Sequence, residues 1–218
     1  MKIISRRSVT LVCALFVLGE VNAAQIDVVV VDRQGKPIPG AVVTAYPKHG
    51  QSEVSPGSEI REDFNRYEVI QKGKEFLPDV LVVPVGAAVN FPNHDEVRHH
   101  VYSFSSAKPF EFELYGNHVK RIETFDKPGL VILGCNIHDS MTGYIYVNDA
   151  PFVQISDSDG RAHFDDIPAS SAQIAVWHKY SKDVTTPIYY MVAALDDGPT
   201  EVLALDLRSE RRKEPLRY

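Results

Sequence analysis

Between Pro128 and Val147 the chain reads PGLVILGCNIHDSMTGYIYV, which places Cys135, His138 and Met141 three residues apart where an apolar run ends. A thiolate, an imidazole and a thioether on one tight loop suit a copper ion that moves between two oxidation states, because cuprous copper favours soft sulfur and cupric copper binds imidazole well. Taken one at a time, a buried cysteine and a core methionine are ordinary packing residues. Their joint spacing points to a metal. Zinc is the competing ion, and a set that ends in methionine serves it poorly.

Where such a site works is suggested by the amino terminus. Lys2, Arg6 and Arg7 precede the apolar run Val9 to Leu18, and Val21-Asn22-Ala23 offers a small-residue cleavage step. Residues 1–23 are therefore expected to be a cleaved secretory signal, which implies a periplasmic protein exported by the general secretory route. Arg6-Arg7 is only a weak twin-arginine pattern, with Val9 and Thr10 where bulky apolar residues belong. No later stretch has the length of a membrane span. Cleavage would remove Cys13 and leave Cys135 as the single cysteine of the mature chain. A lone thiol in an oxidising compartment is a liability unless a metal protects it. Losing residues 1–23 also takes away three of the 23 basic and one of the 29 acidic residues, moving the net charge from -6 to -8. Nucleic-acid binding is disfavoured by that balance, and the basic stretch 208–218 is read as a solvated tail.

Short apolar, β-branched or aromatic runs recur between turn residues, at Val28 to Val31, Ala41 to Tyr46, Val80 to Val83, Ala87 to Phe91, Val101 to Phe104, Leu130 to Leu133, Tyr144 to Val147, Ile174 to Trp177 and Val202 to Leu205. No helical period persists, so the chain is expected to be all-β. Phe110 to Tyr115 alternates apolar and acidic residues, as a strand with one solvated face does. Asp32 to Gly40 (DRQGKPIPG) reads as a link between two strands, and Ser156 to Gly160 (SDSDG) as a hairpin turn. The acidic residues of the latter faintly suggest a calcium loop, but the remaining ligand positions are missing.

These two pieces, Asp32 to Val43 and Asp157 to Pro168, resemble the halves of a transthyretin-type, carboxypeptidase-regulatory-like β-sandwich. The stretch between them resembles the cupredoxins, of the amicyanin and pseudoazurin type and of the kind associated with methylamine utilization. The likeness runs through Val83-Pro84-Val85-Gly86, Val89-Asn90-Phe91, Asn93 and His99-His100-Val101, and then from Pro128-Gly129 to Gly143. It implies a cupredoxin Greek-key β-sandwich at 66–149 inserted between sandwich parts at 24–65 and 150–207. It also implies copper as cofactor, with His99, Cys135, His138 and Met141 as its ligands. Strand alternation puts His99 and His100 on opposite faces, so both cannot easily serve one ion, and the motif favours His99. His94 is read as a solvated loop residue.

The shell around these positions departs from the family pattern. Arg98 replaces a proline, His100 an asparagine, and Asp139 puts a carboxylate beside His138, where it would stabilise an oxidised site and repel acidic partners. The resemblance implies a carrier of single electrons, with a c-type cytochrome or periplasmic dehydrogenase as partner. A copper-binding protein for storage, delivery or sensing is the alternative. No hydrolase, phosphate-loop or dinucleotide motif occurs, so enzymatic activity is not expected.

Overall fold

The computed structural model describes residues 24–48, 67–167, 171–193 and 198–208. The expected export signal, Pro168 and residues 209–218 of the tail lie outside them. Among the described residues sixteen strands run in chain order. They are β1 (Ala24–Val31), β2 (Val42–Pro47), β3 (Ile70–Lys72), β4 (Glu75–Leu77), β5 (Val80–Pro84), β6 (Ala87–Asn90), β7 (His99–Ser103), β8 (Phe110–Tyr115), β9 (Ile122–Phe125), β10 (Gly129–Cys135), β11 (Thr142–Asn148), β12 (Phe152–Ile155), β13 (Arg161–Ile167), β14 (Ser171–Trp177), β15 (Ile188–Ala193) and β16 (Glu201–Ala204). The all-β class expected from the sequence is the class observed, with the strands gathered in several sheets around separate hydrophobic cores. Among the described residues no helix is long and apolar enough to cross a membrane.

Two cores organise these strands. One is built from Ile26, Val28, Val30, Val43 and Ala45 together with Phe164, Ile167, Ile174, Val176 and Leu203, residues that are far apart in the chain. Its sheets have the orders β13-β1-β16 and β12-β2-β14-β15. Ser156 ties the two stretches covalently distant from each other: its hydroxyl accepts from the Ala41 amide and donates to the Ile38 carbonyl, both at 2.8 Å, inside the protein. A buried hydroxyl satisfied on both sides avoids the penalty of about 1–3 kcal/mol for an unpaired group.

The Ser156 to Gly160 turn differs from the expected hairpin. It is tight, with Gly160 donating to Asp157, but β12 before it pairs with β2 and β13 after it pairs with β1. It therefore carries the chain from one sheet to the other. The same Asp and Gly chemistry serves a hairpin and a sheet crossing, and the strand partners decide between them.

The second core is formed by Val69, Phe76, Val83, Val89, Phe91, Val101, Phe125, Val131, Leu133, Ile145 and Val147, with Cys135 and Met141 among them. Over it lies the sheet β5-β11-β10-β7-β8. Alternation along β10 turns Val131, Leu133 and Cys135 inward and leaves Ile132 and Gly134 on the outer face. On that outer face Trp177, fully buried, packs against Tyr144 and Tyr146 with ring centroids 5.6 and 5.8 Å apart and donates its indole N–H to the Val184 carbonyl at 2.8 Å. Val42, Val80, Val82 and Leu130 complete this contact. The sheets of the first core are thus seated on the back of the sheet whose front carries the candidate ligands.

Candidate metal centre

Each candidate ligand is placed by a strand end or the loop that follows it. β7 begins at His99, whose inward position makes it fully buried, and register pairs Cys135 at the end of β10 with Val101 of β7. Strand pairing therefore brings the two ligand-bearing ends together. Beyond Cys135 the chain turns through residues 136–141, closed by the Met141 amide donating to the His138 carbonyl at 2.9 Å, and re-enters the sheet at Thr142.

The result is a convergent donor set. Cys135 Sγ lies 3.8 Å from His99 Nδ1 and 3.6 Å from His138 Nδ1, and the imidazole centroids are 5.0 Å apart. These are the residues whose ligand atoms all fall within 4.8 Å of one another, the single such group among the described residues. Metal bonds to nitrogen and sulfur of about 2.0–2.3 Å allow two ligand atoms on one ion to stand up to about 4.4 Å apart, so both sulfur–nitrogen spacings fit a shared metal. Met141 is buried in the same core as Cys135, as a soft sulfur donor would need to be.

His99 and His100 are separated as strand alternation requires. The His100 ring is on the other face, its Nε2 bonded to Glu111 at 2.8 Å. Its Nδ1 is buried without a partner. His94 is exposed and stands outside the convergent group. Arg98 and Asp139 are exposed too, so neither lies within the donor set.

One polar residue at the site was not singled out by sequence reasoning. Asp95 Oδ2 is 2.7 Å from His99 Nε2, while the Gly73 and Lys74 amides donate to Oδ1 and Oδ2 at 2.6 and 3.0 Å. Burial acts to raise the Asp95 pKa, but these backbone donors and His99 outweigh it and hold the carboxyl below its ordinary range. It is ionised at neutral pH. The only signal in the sequence was its spacing four residues before His99, which carboxylates meet often by chance. For His138, burial and then the nearness of His99 and Lys74 lower the pKa, which keeps its imidazole neutral and able to ligate.

The inner wall is close-packed. Phe91 makes ring contacts with Phe110, Phe112 and Phe125 at centroid distances of 5.6, 5.6 and 6.5 Å, and Tyr115 donates to the Phe91 carbonyl at 2.9 Å. Packing of this density holds side chains in single rotamers. His138 is the half-exposed member of the set, between Ile137, which is 49% exposed, and exposed Asp139.

No protein-family model matches the chain, and no curated protein matches it. Among solved structures, a copper-containing nitrite reductase from Thermus scotoductus SA-01 is 32% identical over 38% of this chain and 22% of its own length, with a TM-score of 0.36. This chain thus spans about a fifth of that protein. A purple cupredoxin from Nitrosopumilus maritimus is 22% identical, covering 38% of this chain and 99% of its own, with a TM-score of 0.35. An amicyanin variant in its reduced Cu(I) form is 17% identical, covering 49% of this chain and 98% of its own, with a TM-score of 0.36.

Proposed function

We propose that this protein is a periplasmic type 1 copper protein that carries single electrons between redox partners. The observation that carries the reading is the convergence of His99 Nδ1 and His138 Nδ1 on Cys135 Sγ at 3.8 and 3.6 Å. Copper bound there would take up and release one electron, with soft sulfur and imidazole suiting its two states. The chain supplies the rest. β7 and β10 fix His99 and Cys135 against a packed aromatic wall, so the donor atoms are in place without rearrangement, and little movement favours fast exchange. Met141 would hold the copper as a weak thioether donor. The unit at 66–149 is the copper-binding insert, and the flanking sandwich parts 24–65 and 150–207 carry it.

His138 is the point of contact with a partner, because it is the half-exposed ligand and Ile137 beside it offers an apolar rim. A c-type cytochrome or periplasmic dehydrogenase is the class of partner this reading calls for, and the protein itself performs no catalysis. Residues 1–23 serve as the export signal, which the mass of the mature protein recovered from a periplasmic fraction would establish.

The deciding experiment adds cupric ion to the purified mature protein and records the visible and electron paramagnetic resonance spectra. An intense thiolate-to-copper band with small hyperfine splitting, lost in Cys135→Ser, is expected. A colourless or weakly coloured complex overturns the electron-carrier reading and leaves storage or delivery as the function.

A further inference from the structure

The β3–β4 turn lies 22 residues before Asp95 in sequence and belongs to a hairpin with no ligand in it, yet its amides point at the carboxylate behind His99. β3 ends at Lys72 and β4 starts at Glu75, leaving a two-residue loop. Both loop residues have positive φ, +66° at Gly73 and +61° at Lys74, which is the type I′ geometry. For Lys74 that conformation is uncommon and strained, and such positions persist where the surroundings hold them. Here the surroundings are Asp95. The two successive amides form a concave anion-binding nest, filled by an intramolecular carboxylate.

The hairpin is itself anchored to the segment that bears Asp95. The His94 amide donates to the Gln71 carbonyl at 2.8 Å, and the Gln71 amide donates to the Pro92 carbonyl at 2.9 Å. Asn93 bonds through Nδ2 to the Val97 and Tyr115 carbonyls at 2.9 and 3.0 Å and accepts from the Asp95 amide at 2.8 Å. Asp95 is therefore fixed from both sides before any metal binds.

We infer that Asp95, seated in the Gly73–Lys74 nest, is a positioning residue for the metal centre: it sets the His99 tautomer and lowers the reduction potential of the bound copper. The inference rests on the copper reading above. Backbone N–H groups can only donate, so both carboxylate oxygens already act as acceptors. With both oxygens accepting from backbone N–H groups, the 2.7 Å contact to Oδ2 is made with His99 Nε2 as the donor. A neutral imidazole with its proton on Nε2 has its lone pair on Nδ1, the atom that faces Cys135 Sγ. A carboxylate on the outer nitrogen also raises the basicity of the ligand. More negative charge at the site favours Cu(II) over Cu(I), which moves the potential down.

Two measurements test this. In the metal-free full chain at pH 8, long-range 1H–15N correlation is expected to show His99 as the Nε2–H tautomer; the Nδ1–H tautomer overturns the inference, and this needs no variant to fold. In Asp95→Asn, which keeps the shape but removes the charge and one acceptor, Cu(II) affinity is expected to fall about 10–100-fold. Each tenfold by which Cu(II) is weakened more than Cu(I) raises the potential by about 59 mV. A wild-type protein with the thiolate-to-copper band and an Asp95→Asn variant of unchanged potential and affinity overturn this inference alone. A wild-type protein without the band overturns the copper reading and this inference with it.

Discussion

A Cβ built on Gly143 would stand 2.9 Å from the Cβ of Phe76 and 3.2 Å from its ring carbons. Phe76 is fully buried on β4, and Gly143 lies two residues beyond Met141 on β11. The glycine thus lets the short hairpin dock directly on the strand that leaves the ligand loop.

That contact makes Gly143→Ala more damaging than Gly134→Ala, although Gly134 shows the shorter distance. A Cβ at Gly134 would meet the tip of the Tyr102 ring at 2.7 Å, but Tyr102 is half-exposed and can swing outward. Phe76 meets Gly143 through its own Cβ, which moves only with the backbone. Overpacking of this kind costs about 1–3 kcal/mol. Urea unfolding of the two variants is expected to place the midpoint of Gly143→Ala well below that of Gly134→Ala, and the reverse order would show that the hairpin yields easily.

How much of this was legible in the sequence depended on whether the information was local. Runs such as Val28 to Val31 and Leu130 to Leu133 became strands because apolar, β-branched composition between turn residues has few other uses. Cys135, His138 and Met141 could be read because one loop of seven residues holds them. Ile70 to Leu77 was not recognised: its strands are three residues long, and Lys74 is a poor advertisement for a turn that needs positive φ. The role of Asp95 was hidden for another reason. Its three donors come from two segments of chain, and nothing in the spelling of either says that they meet. The sheet crossing at Ser156 to Gly160 likewise depends on partners, β2 and β1, that are more than a hundred residues away.

Two histidines away from the metal centre give stability a dependence on pH. Burial, then the charge of Lys179, lowers the His178 pKa to about 4, and its Nδ1 accepts from the Tyr180 amide at 3.2 Å. Because the folded pKa lies below the ordinary 6.5, the unfolded chain binds the proton more readily. This contribution is complete above pH 6.5 and is lost as pH falls from 6.5 to 4, at most about 3 kcal/mol at 1.36 kcal/mol per pH unit. His163 has the opposite sign. Hydrogen bonds to Asp27 and Asp165 at 2.7 and 2.8 Å raise its pKa, so its contribution is present below 6.5 and lost as pH rises through the folded value. Urea midpoints at pH 4.5, 6.5 and 8 should show the larger loss on the acid side. In His178→Gln that acid-side slope should flatten, and an unchanged slope would assign the loss to other groups.

Removing the metal should cost stability in proportion to how tightly the preformed donors hold it. A ligand bound only by the folded state stabilises it by RT ln(1 + [L]/Kd), about 4 kcal/mol at a thousandfold excess over Kd. For a chain of this size each kcal/mol corresponds to roughly 2–4 °C in Tm, so copper saturation is expected to raise Tm by roughly 8–16 °C over the chelator-treated protein. Cys135→Ser should abolish most of that rise, because it removes the sulfur on which both imidazoles converge. His100→Gln should keep it, because His100 is bonded to Glu111 on the opposite face of β7. Differential scanning calorimetry of the three proteins with and without copper separates these outcomes. A rise that survives Cys135→Ser but disappears in His100→Gln would move the copper site to the other face of the strand.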